Sequence, residues 1–327
     1  MTKSNGNGGN GEAAATLSHS GHGVNEPVRD WTVMVYFAAD TVDQHAMDNL
    51  TRLKTAGSTD EVAFLAQINP PDGSETTWYW LERNTALEED VVARFSDADA
   101  GDPETLVDFV TWAAKAAPAK HYMLILWGHG DGWQSEDNAG RIAGRTVRRR
   151  VDASKLKRLI RANSDGDPNA ERLLNSLVLL PNTTVNGANS PDIMDGQELK
   201  RALCAIRENL GGRKIDILGM DSCMMAMVEV GYQLRDAVDY LVACEDVEPI
   251  ESWPYDFIFT DLVRHPEMSP LQLGQLIVRK YIINYKGEGR FVTQSMCDLR
   301  CSRDLASAID HLAEKLKGGL TGTESRT

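Results

Sequence analysis

The sequence predicts an α/β fold with a mostly parallel central sheet flanked by helices on both faces. Short apolar runs rich in β-branched residues are typical of buried parallel strands; the clearest are residues 31–39, 122–127 and 215–218. Segments with helical apolar spacing stand between such runs, so the first part of the chain reads β–α–β–β–α–β, an order that favours parallel neighbours. With 327 residues, 42% of them hydrophobic, the chain is long enough to bury a sizeable core.

Local signals place the elements of the first part. Apolar side chains at helical spacing predict a helix over residues 41–53, and Asp102 before a proline predicts the start of another. Residues 62–68 and 76–82 are predicted strands of a hairpin-like excursion. The aromatic run 78–80 is either a ligand platform or strand packing, and packing is favoured.

The second part continues the alternation of strands and helices. The predicted elements are a helix at 195–209, a strand at 215–218, a helix to about 235, a strand at 240–243, helices at 255–262 and 271–283, a strand at 291–299 and a helix at 305–316.

One domain is predicted, spanning residues 30–317. Residues 1–29 are rich in Gly, Asn and Ser, which predicts a disordered arm, and residues 318–327 form a polar tail. Inside the domain, about 134–194 is a polar insertion or linker. So long a connection without clear structure is unusual in a compact domain and is often functional.

Two of the strands end on residues suited to thiol catalysis. Cys223 follows a strand that we expect to end at Gly219, and we expect a helix directly after it, so that the helix dipole lowers the thiol pKa. His129 stands between two glycines at another strand end. Alone, a cysteine is usually a buried structural residue and a histidine a satisfied polar one. Together they predict a thiolate–imidazole pair.

Four blocks of the sequence resemble the clostripain-like cysteine peptidases, part of the wider caspase-like clan. In order they are WTVMVYFAAD (31–40), WGHGDGW (127–133), DSCMMAMVE (221–229) and YLVACEDVEPIESWPY (240–255). The likeness covers roughly residues 30–300. It implies a caspase-like sandwich and a cysteine endopeptidase that cuts after Arg or Lys through a Cys–His dyad.

The residues suggest a role for each part of such a site. Cys223 is the expected nucleophile, His129 the proton carrier, and the backbone N–H groups of Gly130 and Cys223 the donors to the oxyanion. Asp221 is the expected carboxylate for a cationic substrate side chain, with Arg preferred over Lys because it pairs in two places; the resemblance implies the same role. The alternative is that Asp221 caps the helix after Cys223. Four nearby acidic residues are further candidates for the pocket: Glu245, Asp246, Glu248 and Glu251.

A basic segment, Arg141–Arg150, stands out in this acidic chain. If the enzyme cuts after Arg, this segment between the His and Cys blocks is a candidate self-cleavage site, at Arg148, Arg149 or Arg150. The resemblance also implies it, because several family members are processed between these blocks. The alternatives are a solvated basic face or a nucleic-acid patch.

Composition limits the partners. A net charge of −14 argues against binding to nucleic acid or to an anionic membrane surface, and no apolar run approaches the length of a membrane span. The five cysteines show no disulfide framework or metal spacing, and no secretory signal is recognisable, so a cytoplasmic protein with reduced thiols is expected. The expected partner is a protein or peptide with a basic residue before the cut. Oligomeric state is left open.

No cofactor is required by the predicted chemistry. Calcium dependence occurs in some of the resembling peptidases, and Asp40, Asp43, Asp131 and Asp137 are possible oxygen ligands. Their spacing matches no twelve-residue calcium loop, so metal binding is left open. For Asp40 and Asp43, capping of the following helix is favoured over a cation or substrate site.

Two other functions compete with the peptidase. One is a non-catalytic caspase-like scaffold that binds partners through its acidic surface. The other is a different thiol acyl-transfer enzyme on the same fold, such as an acyltransferase or an amidohydrolase.

Overall fold

The computed structural model describes residues 28–38, 43–69, 75–95, 101–130, 194 and 196–321. All of them belong to one unit of the chain, Met1–Trp133 plus Asp192–Thr327. Its strands are β1 (Arg29–Ala38), β2 (Val62–Asn69), β3 (Thr76–Trp80), β4 (Val91–Phe95), β5 (Ala119–Trp127), β6 (Ile215–Asp221), β7 (Val238–Ala243) and β8 (Ser295–Asp298). Its helices are α1 (Asp43–Ala56), α2 (Pro103–Ala116), α3 (Gly196–Asn209), α4 (Val228–Leu234), α5 (Tyr255–Arg264), α6 (Pro270–Gly287) and α7 (Ser302–Thr321).

These strands form a single mixed sheet in the order β4-β3-β2-β1-β5-β6-β7-β8. The five central strands, from β2 to β7, pair in parallel, and the outer strands β3, β4 and β8 pair antiparallel. From β1 the chain goes first to β2 on one side and later to β5 on the other. Crevices at such a reversal of strand order are where ligands bind in α/β sheets.

Helices cover both faces of the sheet, as predicted. Side chains of β1 alternate between the faces: Val33 and Val35 pack with α1, α5 and α6, whereas Met34 packs with α2, α3 and α4. Burial on both sides explains why the central strands are almost continuously apolar. The predicted fold class is confirmed.

Helix α2 begins as its sequence predicts. The Asp102 side chain accepts a hydrogen bond from the Glu104 N–H, and Pro103 occupies the first turn. The aromatic run of β3 packs in the core, because Trp78, Tyr79 and Trp80 are all buried. The ligand-platform alternative is therefore wrong.

Three predictions for the outer strands and the last helix need correction. The expected order of elements lacks β4, a five-residue strand at the edge of the sheet, which is too short to show a clear alternating pattern. The last strand is shorter than expected, because Phe291 is 88% exposed and only Ser295–Asp298 pairs with β7. Helix α7 continues to Thr321, beyond the predicted domain end at 317.

Strand β6 does not end at Gly219, as expected, but continues to Asp221. A Cβ on Gly219 would lie 2.8 Å from the Trp253 ring, so the glycine makes room for a fully buried indole. The residue therefore marks a close approach inside a strand and not a strand end.

The Gly219→Ala variant is expected to lose about 1–3 kcal/mol of unfolding free energy, because the added methyl group must displace Trp253 or the β6 backbone. Urea unfolding measures the loss. Gly287, at the end of α6, has no neighbour close to an added Cβ, so Gly287→Ala serves as the matched control, with stability unchanged or slightly raised. Equal stability of the two variants would contradict the packing explanation.

Several predictions fall on residues outside the described part of the chain. They are residues 1–27 of the predicted arm 1–29, the insertion with its basic segment Arg141–Arg150, and the end of the tail. The arm boundary at 29 is wrong, because Arg29 is buried and begins β1. Among the described helices, none combines the length and the apolar character that a bilayer crossing requires.

Candidate active site

The loops that carry His129 and Cys223 meet at the carboxyl edge of the sheet. Trp127 at the end of β5 is paired with Asp221 at the end of β6, and the Gly128 N–H donates to the Asp221 carbonyl oxygen over 3.3 Å. Two residues further, Gly130 lies against the Cys223 carbonyl group so closely that a Cβ at this position would overlap it. The parallel register therefore brings the two sequence motifs side by side.

No helix begins directly after Cys223, contrary to expectation. Met224 has a left-handed backbone (φ 59°), and α4 starts only at Val228. The intervening N–H groups bond to the loop after β7: Met224 donates to the Asp246 carbonyl and Ala226 to the Cys244 carbonyl. Because these bonds hold residues 224–227 in a turn, the helix dipole does not act on the cysteine at close range.

A different backbone group contacts the sulfur. The N–H of Glu248 donates to Cys223 Sγ over 3.2 Å. A hydrogen bond to the ionised form of a group favours that form. This donor therefore stabilises a Cys223 thiolate in the place of the expected helix end.

The five cysteines differ strongly in their surroundings. None forms a disulfide. Cys223 is half-buried, whereas Cys244 is buried beside it and donates to the Ser222 and Asp246 carbonyl oxygens. Burial, followed by the charge of Glu248, raises the pKa of Cys244 to about 12. Cys244 is therefore a structural thiol that supports the turn of Cys223.

Asp221 lies under the turn of Cys223, only 3% exposed. Its Oδ2 accepts hydrogen bonds from Ser252 Oγ (2.5 Å), Tyr255 OH (2.6 Å) and the Trp253 N–H (3.4 Å). Burial raises the pKa of Asp221 to about 6, although these donors oppose the rise. Because the donors come from the loop before α5 and from the first residue of α5, and not from the first turn of α4, the helix-capping alternative for Asp221 is wrong.

Glu248 forms a buried carboxyl pair with Asp221. Its Oε1 accepts from Trp253 Nε1 over 2.8 Å. Burial, and then the charge of Asp221, raises the pKa of Glu248 well above its usual range. Asp221 Oδ1 finds no N–H or hydroxyl donor among the described residues, and a proton on Glu248 supplies one. The raised pKa of Glu248 favours its protonated carboxyl, the form that can donate to Asp221.

The other three acidic residues of this loop point elsewhere. Glu245 and Asp246 are exposed. Glu251 is also exposed and its carboxylate bonds to Arg290 over 2.8 Å. Of the four candidate pocket residues, Glu248 is the one that the structure brings to Asp221.

Ser252 is a site residue that the sequence does not reveal. It is buried, its backbone is left-handed (φ 71°), and its hydroxyl links Asp221 to Trp127, whose Nε1 donates over 2.6 Å. The Tyr285 hydroxyl donates to the Ser252 carbonyl oxygen. A non-glycine residue in this conformation costs about 1–3 kcal/mol and persists only where its surroundings hold it. A serine in an acidic loop carries no pattern that would signal this.

Metal ligands are not brought together in the described part of the chain. Among those residues, no group of three or more His, Cys, Asp or Glu side chains is arranged to hold an ion. Asp40, Asp131 and Asp137 lie outside the described residues, and so does the side chain of Asp43. The described part of the chain therefore does not test calcium binding by these four residues, which the sequence also leaves open.

Comparison with known proteins shows the family of this chain. A family model described as the Clostripain family matches residues 33–149 and 184–324. Clostripain of Hathewaya histolytica is 26% identical over 279 residues, which cover 75% of this chain and 46% of that protein. The chain thus spans about half the length of this curated relative.

Solved structures share the fold. A secreted C11 cysteine protease of Bacteroides thetaiotaomicron, in complex with an irreversible peptide inhibitor, superposes with a TM-score of 0.60 at 21% identity, over 86% of this chain and 69% of that one. An inactive zymogen C11 protease of Parabacteroides distasonis gives a TM-score of 0.58 at 19% identity, over 87% of this chain and 66% of that one. With the family model covering most of its length, the chain belongs to the clostripain family.

Proposed function

We propose that this chain is a cysteine endopeptidase that hydrolyses the peptide bond after Arg or Lys, with Cys223 as nucleophile and His129 as its proton carrier. The observation that carries the proposal is the meeting of the Gly-His-Gly loop and the Cys223 turn at one sheet edge, in a clostripain-family chain. A buried carboxylate, Asp221, lies beside them.

The chemistry follows from these groups. The Cys223 thiolate attacks the scissile carbonyl carbon, and the N–H groups of Gly130 and Cys223 are the proposed donors to the oxyanion. Protonated His129 gives its proton to the leaving amine as the C–N bond breaks, which leaves a thioester on Cys223. Water, deprotonated by His129, then attacks the thioester and releases the acid and the thiolate.

Two backbone contacts support this assignment. The Glu248 N–H favours the thiolate by donating to Sγ. Gly130 lies so close to the Cys223 carbonyl group that any side chain would disturb the junction of the two loops.

Asp221 is the proposed acceptor for the cationic substrate side chain. A guanidinium pairs with a carboxylate through two hydrogen bonds, and burial strengthens such a pair. In the described conformation Ser252 and Tyr255 occupy Oδ2. Binding therefore requires a shift of the loop around Ser252, so that the guanidinium N–H groups replace these hydroxyl donors.

The same activity is proposed to cut the chain itself. The expected cut lies in Arg141–Arg150, after Arg148, Arg149 or Arg150, between the two catalytic loops. The description of a structural neighbour as an inactive zymogen supports a form that awaits cleavage. One neighbour is described as secreted, so the cytoplasmic location stays a prediction that rests on the sequence.

Fluorogenic peptides that differ only in the residue before the cut test the proposal. Arg and Lys peptides are expected to be hydrolysed, Arg faster, and Asp and Ala peptides to be turned over at least about a hundredfold more slowly, because they lack the charge-assisted pair.

The same assay separates the rival functions. Equal rates for Arg, Asp and Ala would contradict the specificity. No cleavage at all, together with a Cys223 that resists alkylation at neutral pH, would favour the scaffold. Mass spectrometry of the products would show acyl transfer to an acceptor other than water if the chain is another thiol enzyme.

A further inference from the structure

A cavity opens beside His129 on the face of the sheet opposite to Asp221. We call it the Met225 cavity. It measures about 130 Å³ at the carboxyl ends of β1, β5 and β6, and its walls include Leu106, Leu126, Leu199, Met220 and Met225. His129 and Gly128 also line it. All five wall residues belong to the core layer under α2 and α3, whereas Trp253 and Tyr255, the partners of Asp221, belong to the other layer.

The cavity is open to the site and is not a packing defect deep in the core. Leu126 and Met225 are half-buried, although Leu124 two residues earlier on β5 is fully buried. Met225 also approaches Gly130, where an added Cβ would lie 3.0 Å from its Cγ. The same methionine therefore borders both the cavity and the junction of the catalytic loops. Protein interiors are close-packed, so an apolar cavity of this size beside a reactive residue is suited to bind an apolar group of a ligand.

The direction in which the substrate runs through the site indicates which substrate side chain would occupy the cavity. A general acid must lie within hydrogen-bond reach of the leaving nitrogen, so the residue after the cut lies on the His129 side of Cys223. Successive side chains of an extended peptide point in opposite directions. If the residue before the cut points towards Asp221 on one face, the next side chain points to the other face, where the Met225 cavity lies.

We propose that the Met225 cavity binds the side chain of the residue that follows the scissile bond, and that this residue is a medium-sized apolar one: Leu, Ile or Met. This inference rests on the proposed function and adds a second determinant of specificity to it. The cavity holds a branched aliphatic side chain by volume. Among the described residues that line it there is no Asp, Glu, Lys or Arg, so a charged side chain would be desolvated there without a partner.

Internally quenched peptides with Arg before the cut and a varied residue after it test the inference. The expected kcat/KM is about tenfold higher for Leu, Ile or Met than for Ala, because even one extra methylene group in an apolar pocket discriminates by about that factor or more. For Asp the expected kcat/KM is lower than for Ala.

Two variants change the cavity in opposite directions. Ala38, on the rim at the end of β1, is half-buried; Ala38→Leu fills the space and is expected to abolish the advantage of Leu over Ala. Leu126→Ala enlarges it and is expected to shift the preference towards Phe. Ala308→Leu, on exposed α7, is the matched control and keeps the wild-type profile. Because the readout is a ratio between substrates, a general loss of folded enzyme cancels.

The possible results distinguish failure of the cavity inference from failure of the proposed peptidase activity. A flat profile after the cut, with Arg still required before it, overturns the inference and leaves the proposed function intact. If both cavity variants still prefer Leu after the cut as the wild type does, the inference is also overturned, because a surface other than the Met225 cavity then binds that side chain. If no Arg peptide is cleaved, the proposed function fails, and the inference fails with it.

Discussion

Replacement of Cys223 with alanine is expected to reduce peptide hydrolysis at least about 10⁴-fold, to the background rate. In the proposed mechanism the Cys223 sulfur is the atom that forms the covalent intermediate. The Glu248 N–H contributes by contacting this sulfur, so it cannot compensate when the sulfur is removed. The fold is expected to remain, because Cys223 is half-buried and the turn around it is held by backbone bonds of Met224 and Ala226.

The matched control is Cys204→Ala. Cys204 is also half-buried, but it lies on α3, away from the turn, so this variant is expected to keep wild-type activity. Intact mass after expression gives a second readout, since a self-processed wild type would be clipped near Arg148–Arg150 and the Cys223→Ala protein would stay whole. Hydrolysis at more than a few percent of the wild-type rate in Cys223→Ala would exclude this cysteine as nucleophile.

The Asp221→Asn variant is expected to lose about a hundredfold in kcat/KM for Arg peptides, while alkylation of Cys223 continues at a similar rate. Asparagine keeps the shape and still accepts from Ser252 and Tyr255, but it removes the charge that pairs with the guanidinium. For the wild type, kcat/KM is expected to rise with pH through about 6, where Asp221 ionises. The variant is expected to lack this step.

The same substitution is expected to make the fold more stable at neutral pH. The folded pKa of Asp221, about 6, lies above the ordinary aspartate pKa of 3.8, so the native state binds its proton more tightly than the unfolded chain does. The tighter binding of this proton to the folded state stabilises the fold below about pH 4, and this stabilisation is lost as the pH rises through about 6. A shift of this size corresponds to roughly 2–3 kcal/mol. An asparagine at this position would carry no charge and so would avoid the loss.

Urea unfolding of both proteins at pH 4.5 and pH 7.5 measures this difference. Asp298→Asn is the control of opposite sign, because Arg300 lowers the pKa of Asp298, and its charged form is the one that the fold favours. If Asp221→Asn cleaves Arg peptides as well as the wild type, another group binds the cation. If it is less stable at pH 7.5, the carboxylate makes contacts that the amide cannot replace.

Much of the fold is predictable from local sequence patterns. The strands β1, β5 and β7 are apolar runs because both faces of the central sheet are buried. Helices α2 and α3 show their buried stripes in the sequence, and α2 also shows its N-cap. The positions of His129 and Cys223 were also predictable, because both follow strands that end at the same edge of a parallel sheet.

The local predictions failed where a distant residue decides the conformation. Gly219 looks like a strand end, yet it lies inside β6, since Trp253 packs on it. The methionines after Cys223 look like a helix, yet they form a turn, since Asp246 and Cys244 supply the hydrogen-bond acceptors. In each case the deciding partner is distant in the chain and reaches the site only through the fold.

From its residues alone, this chain reveals an α/β sheet and a thiol and an imidazole at neighbouring strand ends, because apolar periodicity and glycine-flanked polar residues are local properties. Only the tertiary structure shows that the Glu248 N–H contacts the sulfur, that the Asp221 carboxylate pairs with Glu248 and accepts from Ser252, and that an apolar cavity opens beside His129. Contacts, burial and empty space depend on which segments meet, and no local pattern encodes that meeting.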